Sequence, residues 1–156
     1  MSIHIVLVEP EIPPNTGNIA RSAAATNSVL HLVKPLGFSL DEKSLKRAGL
    51  DYWPYVSLEV HDSFEEFLEK YKGRRMWLST TKGEKLYTEA NFRDEDMILF
   101  GKETAGLPRK FIEERIEWAI RIPMSEDTLL RSFNLSNTAN IVLFEALRQL
   151  DFPGLK

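Results

Sequence analysis

Cysteine is absent from the 156 residues. That excludes disulfides, thiolate metal ligands and a cysteine nucleophile. No apolar run approaches the ~18 residues that a membrane-spanning helix needs, and no basic leader or cleavage-site pattern precedes the first apolar segment. The expectation is a cytoplasmic protein with no membrane partner. Positive charge is not in excess either: the formal net charge is -3. This argues against a polyanion-binding surface all round but leaves room for a local basic patch.

Several signatures of chemistry are missing as well. There is no Gly-x-Ser-x-Gly nucleophile elbow and no dinucleotide-binding Gly-x-Gly-x-x-Gly near the first strand. Gly101 and Gly106 have the spacing of a phosphate-binding loop, but Leu107-Pro108 stands where Lys-Ser/Thr is required. His, Asp and Glu show no metal-ligand spacing, so no metal is expected. His4, His31 and His61 are scattered, and each is expected in or beside a strand rather than as a base.

What is present describes an ordinary globule, with 43% apolar and 28% charged residues. Its size suits a single domain over 1–156. Short β-rich apolar runs at Ile3–Val8, Val29–Val33, Met76–Ser79, Met97–Phe100 and Ala119–Ile122 read as strands buried on both faces, with Val56–Val60 a weaker sixth. Helical segments fall between them, at Thr16–Thr26, Asp41–Ala48, Ser63 to about Tyr71, Pro108 to about Arg115 and Ser136–Leu150. Ser63 and Glu66 form a capping box, and Asn15 or Thr16 is expected to cap the first helix. Strands alternating with helices predict an α/β fold with a mainly parallel sheet flanked by helices.

Three segments stand out as candidates for chemistry. Asn15-Thr16-Gly17-Asn18-Ile19-Ala20-Arg21 opens the first helix, with Asn18 and Arg21 on one face. Phe100-Gly101-Lys102-Glu103-Thr104-Ala105-Gly106-Leu107-Pro108 follows a strand, where glycines let backbone approach a ligand. Arg131-Ser132-Phe133-Asn134-Leu135-Ser136-Asn137-Thr138-Ala139-Asn140 joins a loop to the last helix with more polar groups than capping requires. That helix carries Ile141, Val142, Leu143, Phe144, Ala146, Leu147 and Leu150 around most of its circumference, so its outer face is expected to meet another subunit; a central helix in a monomer is the alternative. Basic residues such as Lys82, Lys85 and Arg109-Lys110, with aromatic Tyr52, Trp53 and Tyr55, suit contact with a single-stranded RNA loop.

In this order and spacing, the three segments resemble the SPOUT superfamily of RNA methyltransferases. Glu9 to Asn18, Arg47-Ala48-Gly49-Leu50-Asp51-Tyr52 and Arg121-Ile122-Pro123-Met124 narrow the resemblance to the small enzymes that methylate the 2'-hydroxyl of the tRNA wobble nucleotide, position 34, cytidine or modified uridine. The resemblance implies a deep trefoil knot in the carboxyl-terminal part, no separate RNA-binding domain, S-adenosylmethionine as methyl donor and no metal. It also implies a homodimer through the last helix and the tRNA anticodon stem-loop as partner. By position, the cofactor would meet Ser79 and Thr80, then Gly101, Glu103 and Gly106, then Ile122 and Met124, then Ser132, Leu135 and Ser136. Arg21 would be the catalytic residue, with Asn18, Asn134 and Asn15 orienting it or the ribose. Glu103 would attract the sulfonium or anchor its loop. Alternatives are another tRNA position, ribosomal RNA, or a non-catalytic RNA-binding module of the same fold.

Overall fold

The computed structural model describes residues 2–47, 53–126 and 133–156. Among them seven strands form one sheet: β1 (His4–Val8), β2 (Val29–Val33), β3 (Ser57–His61), β4 (Met76–Ser79), β5 (Lys85–Leu86), β6 (Met97–Phe100) and β7 (Ala119–Arg121). Their order is β3-β2-β1-β6-β4-β7-β5, and every pairing is parallel. Helices α1 (Pro13–Ala25), α2 (Glu42–Arg47), α3 (Phe64–Lys70), α4 (Arg109–Glu114) and α5 (Leu135–Gln149) connect or flank them.

Alternation along the strands divides the core in two. Ile5, Leu7, Leu30, Leu32, Ile98 and Phe100 pack with Ile19, Ala23, Val142, Leu143 and Ala146 of α1 and α5. Val6, Val8, Val33, Leu78 and Leu99 face the other way and pack with Phe67 of α3 and Phe111 and Ile112 of α4. A sheet covered on both faces explains the continuous apolar runs. No helix among the described residues is long and apolar enough to cross a membrane.

The structure moves several boundaries. α1 begins at Pro13, with the two prolines filling first-turn positions where the missing N–H costs nothing. Asn15 and Thr16 therefore lie inside the helix, which has no side-chain cap. The last helix starts at Leu135 with Asn134 as its cap, and Pro108 sits at the cap of α4 rather than within it. Ser63 caps α3 as its motif implies, accepting from Glu66 N at 3.1 Å. β3 is shifted one residue, and the two-residue β5 has no apolar run to announce it.

α5 lies against α1 and the sheet. This covers Val142, Leu143, Ala146 and Leu147 but leaves Phe144 48% exposed.

Candidate active site

The carboxyl ends of β4, β6 and β7 open into one cavity of about 540 Å³, within the usual range for a small-molecule site. Its wall comes from four separate stretches of chain. Ser79, Thr80 and Thr81 extend β4, Gly101 to Leu107 follow β6, Ile122 and Met124 follow β7, and Phe133, Asn134, Leu135 and Thr138 form the entry to α5. Ile12 and Asn15 close it from the side of α1.

Most residues singled out from the sequence line this space: Ser79, Thr80, Gly101, Glu103, Gly106, Ile122, Met124, Asn134 and Leu135. Ser136 does not. It is buried behind Asn134, donating from Oγ to Asn134 Oδ1 at 2.6 Å. Asn18 and Arg21 sit on the exposed side of α1, outside the lining. Ser132 and Ala48–Tyr52 lie outside the described residues. Ile12, Lys82, Phe133 and Thr138 line the cavity too: Phe133 and Thr138 belong to the third candidate segment, Ile12 lies within the Glu9–Asn18 stretch, and Lys82 is expected from the sequence to meet RNA rather than the cofactor. Thr138 stands one turn after Asn134, a spacing that puts both on one face.

The glycine loop has a specific geometry. Gly106 takes φ +70° and donates its N–H to Lys102 O at 2.8 Å, closing a short antiparallel bridge between residues 102 and 106. Gly101 lies directly beneath that turn. A Cβ there would fall 2.0 Å from Gly106 C and 2.1 Å from Leu107 N. The bend requires glycine at 106 for its left-handed φ and at 101 for space.

Glu103 is held by three donors. Its Oε1 accepts from Glu11 N at 2.9 Å, and its Oε2 accepts from Ile12 N at 2.8 Å and Asn15 Nδ2 at 3.1 Å. Glu11 returns the contact: its Oε1 accepts from Thr104 N at 3.0 Å and Thr104 Oγ1 at 2.7 Å. These Thr104 bonds favour the ionised form and lower the Glu11 pKa. Asn15 Oδ1 accepts from Asn134 Nδ2 at 3.1 Å, and Asn134 Oδ1 accepts from Ser136 N at 2.9 Å. One continuous polar chain thus ties the three candidate segments together.

Several known proteins are similar to this chain. The model of the SpoU rRNA Methylase family matches residues 2–144. A tRNA (cytidine(34)-2'-O)-methyltransferase of Methylovorus glucosotrophus is 50% identical, over 96% of this chain and 97% of its own. Among solved structures, one described as giving insights into the 2-OH methylation of C/U34 on tRNA superposes with TM-score 0.85 at 47% identity, covering 96% of this chain and 97% of that one. An AdoMet-bound rRNA methyltransferase from Sinorhizobium meliloti gives TM-score 0.78 at 25% identity, covering 96% of this chain and 57% of that one.

Proposed function

Because this chain belongs to the SpoU rRNA Methylase family, we propose that it methylates the ribose 2'-hydroxyl of nucleotide 34, cytidine or modified uridine, in tRNA. The observation that carries the reading is the near full-length, half-identical match to a tRNA (cytidine(34)-2'-O)-methyltransferase. The methyl donor is S-adenosylmethionine, supported by the AdoMet-bound relative of the same fold.

The cavity's chemistry fits that donor. Apolar Leu107, Ile122, Met124 and Leu135 offer walls for a purine, while the glycine bend presents backbone groups with no Cβ between them and a ligand. When bound, S-adenosylmethionine supplies an electrophilic methyl group on its sulfonium. The remaining work belongs to the chain. Holding the ribose in line accounts for ~7–11 kcal/mol in well-aligned systems. Arg21 offers N–H donors and no acceptor. It therefore stabilises the developing 2'-alkoxide or orients the adjacent phosphate rather than abstracting the proton. Asn18 and Asn134 orient the ribose, Asn15 anchors Asn134, and Glu103 anchors the loop. With both its oxygens occupied by donors at and just before the start of α1, Glu103 is a positioning residue rather than a partner of the sulfonium.

The remaining features are part of the same proposal. The enzyme works in the cytoplasm as a homodimer through α5, a reading supported by the exposed Phe144. Its carboxyl-terminal part is threaded as a trefoil knot, and the anticodon stem-loop is the part of the tRNA that enters the site. The family resemblance supports both readings.

Incubation with unmodified total tRNA and methyl-labelled donor, followed by mapping of the modified nucleotide, tests the function. Label confined to the ribose of nucleotide 34 is expected; label at another position overturns it. Arg21→Ala should bind the donor normally by calorimetry yet lose at least ~100-fold in transfer. Near-normal turnover in that variant would remove Arg21 from the mechanism.

A further inference from the structure

Away from the cavity, under α3, three histidines from three adjacent strands meet in a row. His4 Nδ1 lies 2.8 Å from His31 Nε2, and His31 Nδ1 lies 3.0 Å from His61 Nε2. At one end, His4 Nε2 is 2.7 Å from Glu95 Oε2. At the other, Glu59 Oε2 stands 3.1 Å from His31 Nδ1 and 3.7 Å from His61 Nε2. The side chain of His31 is fully buried, that of His61 is 5% exposed and that of Glu59 is 38% exposed.

Proton accounting exposes an imbalance. With all three rings neutral, His4 donates from Nε2 to the Glu95 carboxylate and its Nδ1 is bare. His31 must then donate from Nε2, which leaves its own Nδ1 bare. That lone pair and the Glu59 carboxylate oxygen, 3.1 Å apart, converge on the one proton that His61 Nε2 can offer. Tyr71 OH donates to Glu59 Oε2 and Lys70 Nζ lies 3.6 Å from Oε1, so the carboxylate is held but its approach to His31 is not balanced. Two electron-pair donors with a third beside them make a cation site.

We propose that His31 Nδ1, His61 Nε2 and Glu59 Oε2 bind one zinc-like divalent cation, with solvent in the fourth position. Two imidazoles and a carboxylate with an open position form a known zinc donor set. The three donor separations, 3.0, 3.1 and 3.7 Å, bracket the ~3.3–3.4 Å edge of a tetrahedron with bonds of about 2.0–2.1 Å. The outer contacts also fit. His31 donates its other ring nitrogen to His4, His4 donates to Glu95, and Tyr71 steadies Glu59, an arrangement that orients ligands around a metal. Burial lowers the pKa of both His31 and His61 and so keeps them in the neutral, ligating form. Glu59 provides access from solvent. β3 is the edge strand, and ligation requires the His61 ring to move its proton to Nδ1 and turn from facing His31 end-on to standing beside it. The ion would fasten β3 to β2.

Zinc calorimetry on chelator-treated protein, with cobalt absorption as a second probe, tests the site. One ion per chain, a visible tetrahedral cobalt spectrum and a Tm that rises with zinc concentration are expected. Glu59→Gln and His61→Asn should each weaken zinc binding by ~10-fold or more, with folding checked by circular dichroism. Histidine nitrogen NMR of the unsubstituted protein provides a readout that needs no variant: zinc should shift His31 Nδ1. No uptake, uptake unchanged in both variants, or zinc binding without a His31 shift would overturn the proposal.

Discussion

Glu103 shows how much a single residue's role depends on its partners. Its position in a glycine loop is equally compatible with meeting a sulfonium and with bracing the loop. The three donors from Glu11, Ile12 and Asn15 favour bracing. Replacing the charge by an amide should therefore loosen the tie between the loop and α1. Glu103→Gln is expected to lower kcat for tRNA methylation by ~10-fold or more, while donor affinity, measured by calorimetry, falls less. An equal loss in both would mean that Glu103 contacts the donor directly. Gly101 acts through space alone. The 2.0 Å approach of a Cβ to Gly106 C cannot be relieved by a side-chain rotation, because the obstacle is backbone. Gly101→Ala should unseat the bend and cut donor affinity at least ~10-fold by calorimetry, and unchanged affinity would count against the loop as the donor's wall.

At the scale of elements, α5 presents two unlike faces. Val142, Leu143, Ala146 and Leu147 fill the core against α1 and the sheet. Phe144 remains outside, next to Glu145, whose carboxylate pairs with Arg148 at 2.8 Å. The exposed ring is where the proposed dimer contact would fall. Phe144→Asp is expected to shift the protein from dimer to monomer by sedimentation and to abolish methylation, since the dimer reading makes the partner necessary. A fully active monomer would refute it. On the opposite face of the sheet, α3 covers the histidine row, and its Phe67 and Tyr71 pack edge-on against His31 and His61.

That row gives the whole molecule a pH dependence. Burial pulls His31 down to about 3, and burial also lowers His61 from 6.5. Between those values the unfolded chain binds more protons than the folded one, so stability rises with pH through this window and levels off above about 6.5. Urea unfolding with chelator present, from pH 4.5 to 8, should show the midpoint climbing and then flattening. A flat profile across pH 4.5–6.5 would contradict the neutral row.

Much of this molecule was legible from its one-dimensional pattern. Continuous apolar strands bounded by Pro, Gly and Asn indicated a parallel sheet because both of its faces are covered. The three polar segments declared themselves because each carries more glycine, asparagine and charge than a turn or cap needs. Other features left no local trace. β5 is two residues long and is defined by its partner β7, not by its own composition. Asn15 looked like a cap because its type favours caps, yet the prolines start the helix earlier and its amide bridges Glu103 and Asn134 instead. The histidines read as separate because His4, His31 and His61 are about thirty residues apart, and no spacing rule spans three strands.

The sequence alone determined the alternation of strands and helices, the buried sheet and the identity of the three loops, since these follow from side-chain periodicity and backbone preference within a few residues. Tertiary structure decided which groups face one another. It turned Glu103 toward α1, set Ser136 behind Asn134 and brought His31, His61 and Glu59 within reach of one ion. Parallel strand order and register control those meetings, and they arise from packing between segments distant in the chain.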